Sequence, residues 1–116
     1  MITMWGLKNC DTCRKATKWL EANDIDYQFR DVRGGDLDKK TLTRWMKELG
    51  WEALLNRRGT TWRKLSEADR SAVGKSWAQG LMLEHPALIK RPVFEAEGTV
   101  LVGFTEEVME ALGDLG

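Results

Sequence analysis

The sequence predicts one α/β domain in which a βαβ unit and a ββα unit frame an all-helical insert. Three observations lead there. A short apolar run is followed by a helical stripe and then by an alternating run. A hairpin signal lies near the C-terminus. Between them, apolar residues recur only at helical spacing.

Ile2 to Trp5 reads as the first strand, ended by Gly6. The segment after Cys10 carries Ala16, Trp19 and Leu20 at i, i+3 and i+4, one face of a helix. Asn23-Asp24 stops it. Ile25 to Val32 alternates, with Ile25, Tyr27, Phe29 and Asp31 in one phase, and reads as a second strand. Two strands joined through a helix should be parallel.

Arg33-Gly34-Gly35-Asp36 is a break. Leu42, Trp45, Met46 and Leu49 then keep a helical period, with Gly50 as C-cap. Ser66 is a suitable N-cap for a further helix carrying Ala72, Val73 and Trp77, and Pro86 limits the last short helix of the block. Val93–Ala96 and Thr99–Val102 flank Glu97-Gly98, a hairpin signal. Thr105 caps a final helix with Glu106 and Glu107 in its first turn and Val108, Met109 and Leu112 on its apolar face. The halves are expected at 1–34 and 87–116, and the insert at 35–86.

Composition narrows the function classes. The 116 residues are 42% hydrophobic and 31% charged, as for one globular domain. Lys plus Arg and Asp plus Glu each total 18, so net charge gives no reason to expect nucleic acid. No run approaches the ~20 apolar residues of a membrane span. A soluble, cytoplasmic protein is expected. Six tryptophans are many for this length, and they are read as packing.

Cys10 and Cys13 are the two cysteines, in Asn9-Cys10-Asp11-Thr12-Cys13 at the junction of strand and helix. That is where a reactive thiol belongs. A free thiol of pKa ~8.5 is only about 3% thiolate at pH 7, and a helix N-terminus favours the thiolate. Lys8 and Arg14 add positive charge nearby. Cys10, at the helix mouth, is the expected nucleophile. Cys13, one turn in, is the expected resolving thiol. Structural zinc usually needs four ligands, and two cysteines with the distant His85 do not supply them, so no metal is expected. Arg57 and Arg58 lie in a basic stretch, Asn56 to Lys64, suited to an anion or to a plain solvated loop. Arg91-Pro92 opens the third strand, where a proline is tolerated.

Three segments carry a resemblance to a known family. They are Lys8-Asn9-Cys10-Asp11-Thr12, then Gly50 to Asn56 with Arg58 to Leu65, and His85-Pro86-Ala87-Leu88-Ile89-Lys90-Arg91-Pro92. Together they resemble the arsenate reductase–Spx–YffB family, across essentially the whole chain and most closely its YffB-like branch. The resemblance implies a thioredoxin-like fold with a mixed four-stranded sheet and a helical insert. It implies a nucleophile at Cys10, anion- or glutathione-facing arginines at Arg58 and Arg91, and a cis-proline at Pro92. Lys8 and Asn9 join the expected glutathione-binding set, Asn9 orienting the loop.

The implied activity is thiol–disulfide exchange with glutathione as co-substrate and glutaredoxin as a further partner. Arsenate reduction ranks behind it. Glutathione-coupled arsenate reductases carry another arginine near the end of the last strand, where this chain reads Leu101-Val102-Gly103-Phe104. The other alternative is an Spx-like redox-sensing regulator that binds RNA polymerase. Cys13 resembles Spx at that site, whereas the insert resembles the YffB-like branch.

Overall fold

The computed structural model describes residues 1–71 and 74–115. The chain forms two compact units: Met1–Asp36 with Arg91–Gly116, and Leu37–Lys90.

The first unit is built on a sheet. Strand β1 (Ile2–Gly6), helix α1 (Asp11–Ala22) and strand β2 (Tyr27–Asp31) form the βαβ half. Strands β3 (Val93–Ala96) and β4 (Thr99–Val102) and helix α7 (Glu106–Leu115) form the other. The strand order is β2-β1-β3-β4. β1 and β2 run parallel, with Met4 opposite Phe29, while β1–β3 and β3–β4 are antiparallel. This is the thioredoxin-like α/β arrangement, a mixed four-stranded sheet.

Period-two alternation sends Ile2 and Met4 to one face, joined by Phe94, which pairs with Met4. There they meet Cys13, Ala16 and Leu20 of α1 and Val108 and Leu112 of α7 in one buried cluster. Trp19 packs at its margin, edge-on to Phe104 at 5.9 Å. Glu97 and Gly98 both have positive φ, 49° and 81°, which suits the two-residue turn of the β3–β4 hairpin. The Thr105 hydroxyl accepts the Val108 N–H at 3.2 Å and caps α7.

The second strand starts later than the alternation implies. Ile25 belongs to the end of α1: its N–H donates to Leu20 O (2.9 Å), and the Asp24 N–H donates to Glu21 O (3.2 Å). With Asp24 at φ 55°, this is a Schellman motif in which an aspartate takes the place usual for glycine.

The second unit is helical: α2 (Lys39–Leu49), α3 (Trp51–Leu54), α4 (Thr60–Arg63), α5 (Glu67–Ser71), α6 (Lys75–Glu84) and a 3-10 turn at Pro86–Leu88. α2, α3 and α6 pack on one another, and α2 buries Leu42, Trp45 and Met46. Asp38 caps α2 by accepting the Thr41 N–H at 2.8 Å. Ser66 caps α5 by accepting the Asp69 N–H at 3.1 Å.

Two expectations need correction. The helix capped by Ser66 does not run on to Trp77. Trp77 lies in a separate helix, α6, entered through Gly74 at φ 129°, a conformation no helix interior allows. Ala72 and Val73, assigned to the same helix, lie outside the described residues. The helical unit also ends at Lys90 rather than 86. A bridge between Leu55 and Ile89 holds the segment after Pro86. The Asn56 N–H donates to Leu88 O and the Lys90 N–H to Leu54 O, both at 2.7 Å.

Candidate functional site

The sheet unit brings Cys10, Cys13 and Arg91 together. The turn from β1 into α1 is closed by the Cys10 N–H donating to Leu7 O at 3.3 Å, and Lys8 and Asn9 sit exposed on it. Cys10 is the N-cap of α1, in extended backbone, and is half-buried. Cys13, in the first turn, is 2% exposed and belongs to the core cluster. Both thiols are free.

Their electrostatics diverge. Partial burial works against the Cys10 thiolate, but the Cys13 backbone amide, the Cys13 thiol and the hydrogen bond and charge of Arg91 outweigh it. The Cys10 pKa is therefore lowered from the ordinary thiol value. Cys13 is pushed up to about 12 chiefly by burial, with the neighbouring Cys10 sulfur adding to the rise and the Leu7 backbone and Arg91 opposing it. One thiol is set up to ionise and its neighbour to keep its proton.

Arg91, not the residues flanking Cys10, supplies the cation. Arg14 is exposed and paired with Asp11, and the groups that lower the Cys10 pKa are Cys13 and Arg91. The Arg91–Pro92 bond is cis, and Pro92 O accepts the Gly103 N–H at 2.8 Å.

Gly6 is a site residue that the sequence reading missed. A Cβ built there would lie 2.6 Å from Cys13 Sγ, so a bare backbone leaves the space that the sulfur occupies. Beside Cys13, a pocket of about 200 Å³ is lined by Leu7, Lys8, Arg14, Thr17, Tyr27 and Phe29. Just past β4, Phe104 packs edge-on against Trp19.

Arg58 lies in the helical unit. It lines a pocket of about 420 Å³ with Glu52, Leu55, Asn56, Arg57 and Lys90. Its N–H donates to Asn56 Oδ1 at 3.0 Å, which folds the loop into an Asx turn. His85 caps the end of α6, its N–H on Leu81 O at 2.7 Å. Among the described residues, no group of three or more His, Cys, Asp or Glu side chains could hold a metal. None of the described helices is long and apolar enough to cross a membrane.

The ArsC family model matches residues 5–112. The chain belongs to the ArsC family. An uncharacterised protein of Haemophilus influenzae is 42% identical over 111 residues, 96% of this chain and 97% of its own. A global transcriptional regulator Spx of Listeria innocua is 31% identical over 110 residues, covering 92% of this chain and 82% of the regulator. A solved YFFB protein superposes with TM-score 0.91 at 41% identity over the full length of both chains. The solution structure of an arsenate reductase related protein from Brucella melitensis gives TM-score 0.78 at 50% identity, over 95% of this chain and 92% of that one.

Proposed function

We propose that this ArsC-family protein is a thiol–disulfide oxidoreductase that uses glutathione as co-substrate. The observation that carries the reading is the opposed pair: Cys10, eased toward thiolate beside Arg91, and Cys13, buried and protonated one turn away. The Cys10 thiolate attacks one sulfur of a disulfide, forms a mixed disulfide and expels the other sulfur as a thiolate. The Cys10 sulfur then bears no charge, so its contribution to keeping the Cys13 proton is removed. Cys13 loses its proton to solvent and attacks the Cys10 sulfur, closing the Cys10–Cys13 disulfide and releasing the second thiolate. A glutathione thiolate attacking the mixed disulfide is the other exit. In this reading Arg91 and Arg58 hold anionic groups of the substrate, and Lys8, Asn9 and Pro92 complete the proposed binding set.

The test is incubation with oxidised glutathione followed by intact mass. The parent should gain one glutathionyl group or lose two hydrogens, and Cys10→Ser should do neither. A Cys10→Ser protein that reacts like the parent would end the proposal.

A second reading is favoured by the 31% identity to Spx regulators. There the same two thiols form a sensing disulfide. Capture of RNA polymerase that depends on their redox state would support it over the enzyme. Arsenate reduction is disfavoured, because Leu101-Val102-Gly103-Phe104 carries no arginine. A glutaredoxin-coupled arsenate assay should show little turnover.

A further inference from the structure

Arg57 and Arg58 are consecutive, yet their surroundings differ. The Arg57 guanidinium lies over two indole rings, 5.6 Å from the centroid of Trp51 and 5.8 Å from that of Trp62. Trp51 opens α3 and Trp62 belongs to α4, so the two residues flank the loop at residues 55–59 in the chain. Trp77 of α6 braces both rings edge-on, each at 6.4 Å with interplanar angles of 88° and 80°. The Trp77 indole nitrogen is buried without a hydrogen-bond partner among the described residues, so ring contacts hold it.

The rest of the loop is fixed too. Asn56 is anchored through its N–H to Leu88 O, and its side chain accepts the Arg58 N–H. Arg57 joins the loop to the aromatic cluster. Arginine suits that place because its planar cation stacks on ring faces, which an ammonium group does less well.

We infer that Arg57 is a positioning residue: clamped by Trp51 and Trp62, it fixes the loop that presents Arg58 to an anionic ligand. This rests on the reading of Arg58 as an anion-binding residue. It gives three of the six tryptophans a task beyond filling space. They hold an arginine of the chain itself, and its neighbour carries the binding.

The test is a double-mutant cycle read as the dissociation constant for glutathione sulfonate, an unreactive anionic analogue, by calorimetry. Arg58→Ala should weaken binding by about tenfold, the scale of one charge-assisted hydrogen bond. Arg57→Ala should weaken it by about threefold in the parent and hardly at all in the Arg58→Ala background, because it acts through Arg58. Arg57→Lys should stay impaired although it keeps the charge. Far-UV circular dichroism verifies folding. If Arg57→Ala does not fold, Trp62→Phe, which keeps a ring but weakens the stacking, should give a smaller loss with the same dependence on Arg58.

Additive losses, or full rescue by Arg57→Lys, would mean that Arg57 meets the ligand itself and would overturn the inference alone. No binding by the parent, or an Arg58→Ala protein that binds as the parent does, would remove the reading of Arg58 and this inference with it.

Discussion

In the sheet unit the proposed nucleophile is placed by main chain. Cys10 caps α1, and the Cys13 amide, the Cys13 thiol and Arg91 together outweigh partial burial and lower its pKa. Cys13 fits because Gly6 has no side chain. In the helical unit the basic loop is placed largely by side chains: an asparagine oxygen, an arginine and three indole rings. Backbone-set positions are stiff, since moving them means moving a strand or a helix. Positions set by side chains on exposed residues yield by rotamer change. In folding stability, the sheet unit should therefore tolerate small substitutions poorly near its thiols, and the loop should tolerate them well.

The largest effect should come from the scaffold of the thiol site. Phe94 is 1% exposed and packs in the same cluster as Cys13. Phe94→Ala should cost about 3–5 kcal/mol, since an emptied aromatic site relaxes only in part. Urea denaturation measures the loss. Faster alkylation of Cys13 should accompany it, because the buried thiol shares the cavity. A loss below about 1 kcal/mol would mean that the cluster is not what fixes Cys13, on the scale of ordinary core truncations.

What could be read in the sequence divides along the same line. The βαβ and ββα halves were legible because periodicity reports which side of a backbone element is buried. The place of Cys10 at the mouth of α1 was legible because the strand ends and the helical stripe begins around it. Ile25 was misplaced because Asp24 acts as the positive-φ residue of a motif that usually announces itself with glycine. The break before α6 turned on Gly74, one residue whose conformation no propensity reveals. Chain proximity suggested Lys8 and Arg14 as the cations near Cys10, but Asp11 takes Arg14 and the sheet delivers Arg91. The tryptophans looked like packing because composition counts rings and cannot show that Trp51, Trp62 and Trp77 converge on one arginine.

A pair of glycine substitutions sharpens the contrast. In Gly6→Ala the new methyl would meet Cys13 Sγ at 2.6 Å, so the sulfur or the strand must move. Overpacking of this kind costs about 1–3 kcal/mol. It should also shift the products of oxidised glutathione toward the glutathione adduct and away from the Cys10–Cys13 disulfide. In Gly59→Ala the methyl would lie 3.1 Å from Asn56 Nδ2, the tip of a flexible side chain, and the backbone is at φ −85°, open to any residue. That substitution should cost well under ~1 kcal/mol, as surface changes usually do. Equal losses at the two glycines would erase the distinction between the units.

The smallest effect, and the most specific, concerns Arg91. Partial burial raises the Cys10 pKa, while the Cys13 backbone amide, the Cys13 thiol and Arg91 lower it, and the lowering side wins. Arg91→Gln removes a charge and a hydrogen bond from that winning side. The midpoint of Cys10 alkylation by iodoacetamide should therefore move up in pH. At pH 7 a smaller fraction is thiolate, so the reaction should slow several-fold. Above both midpoints the thiolate is fully formed in either protein and the rates should converge, with the variant marginally faster because a more basic thiolate is the better nucleophile. Arg14→Gln should leave the profile where it is, since Arg14 is engaged by Asp11. An unmoved midpoint in Arg91→Gln would return the credit to the helix N-terminus and Cys13 alone. The thiol would then owe nothing to the segment that leads into β3, and the sheet unit's main-chain control would reduce to a single helix cap.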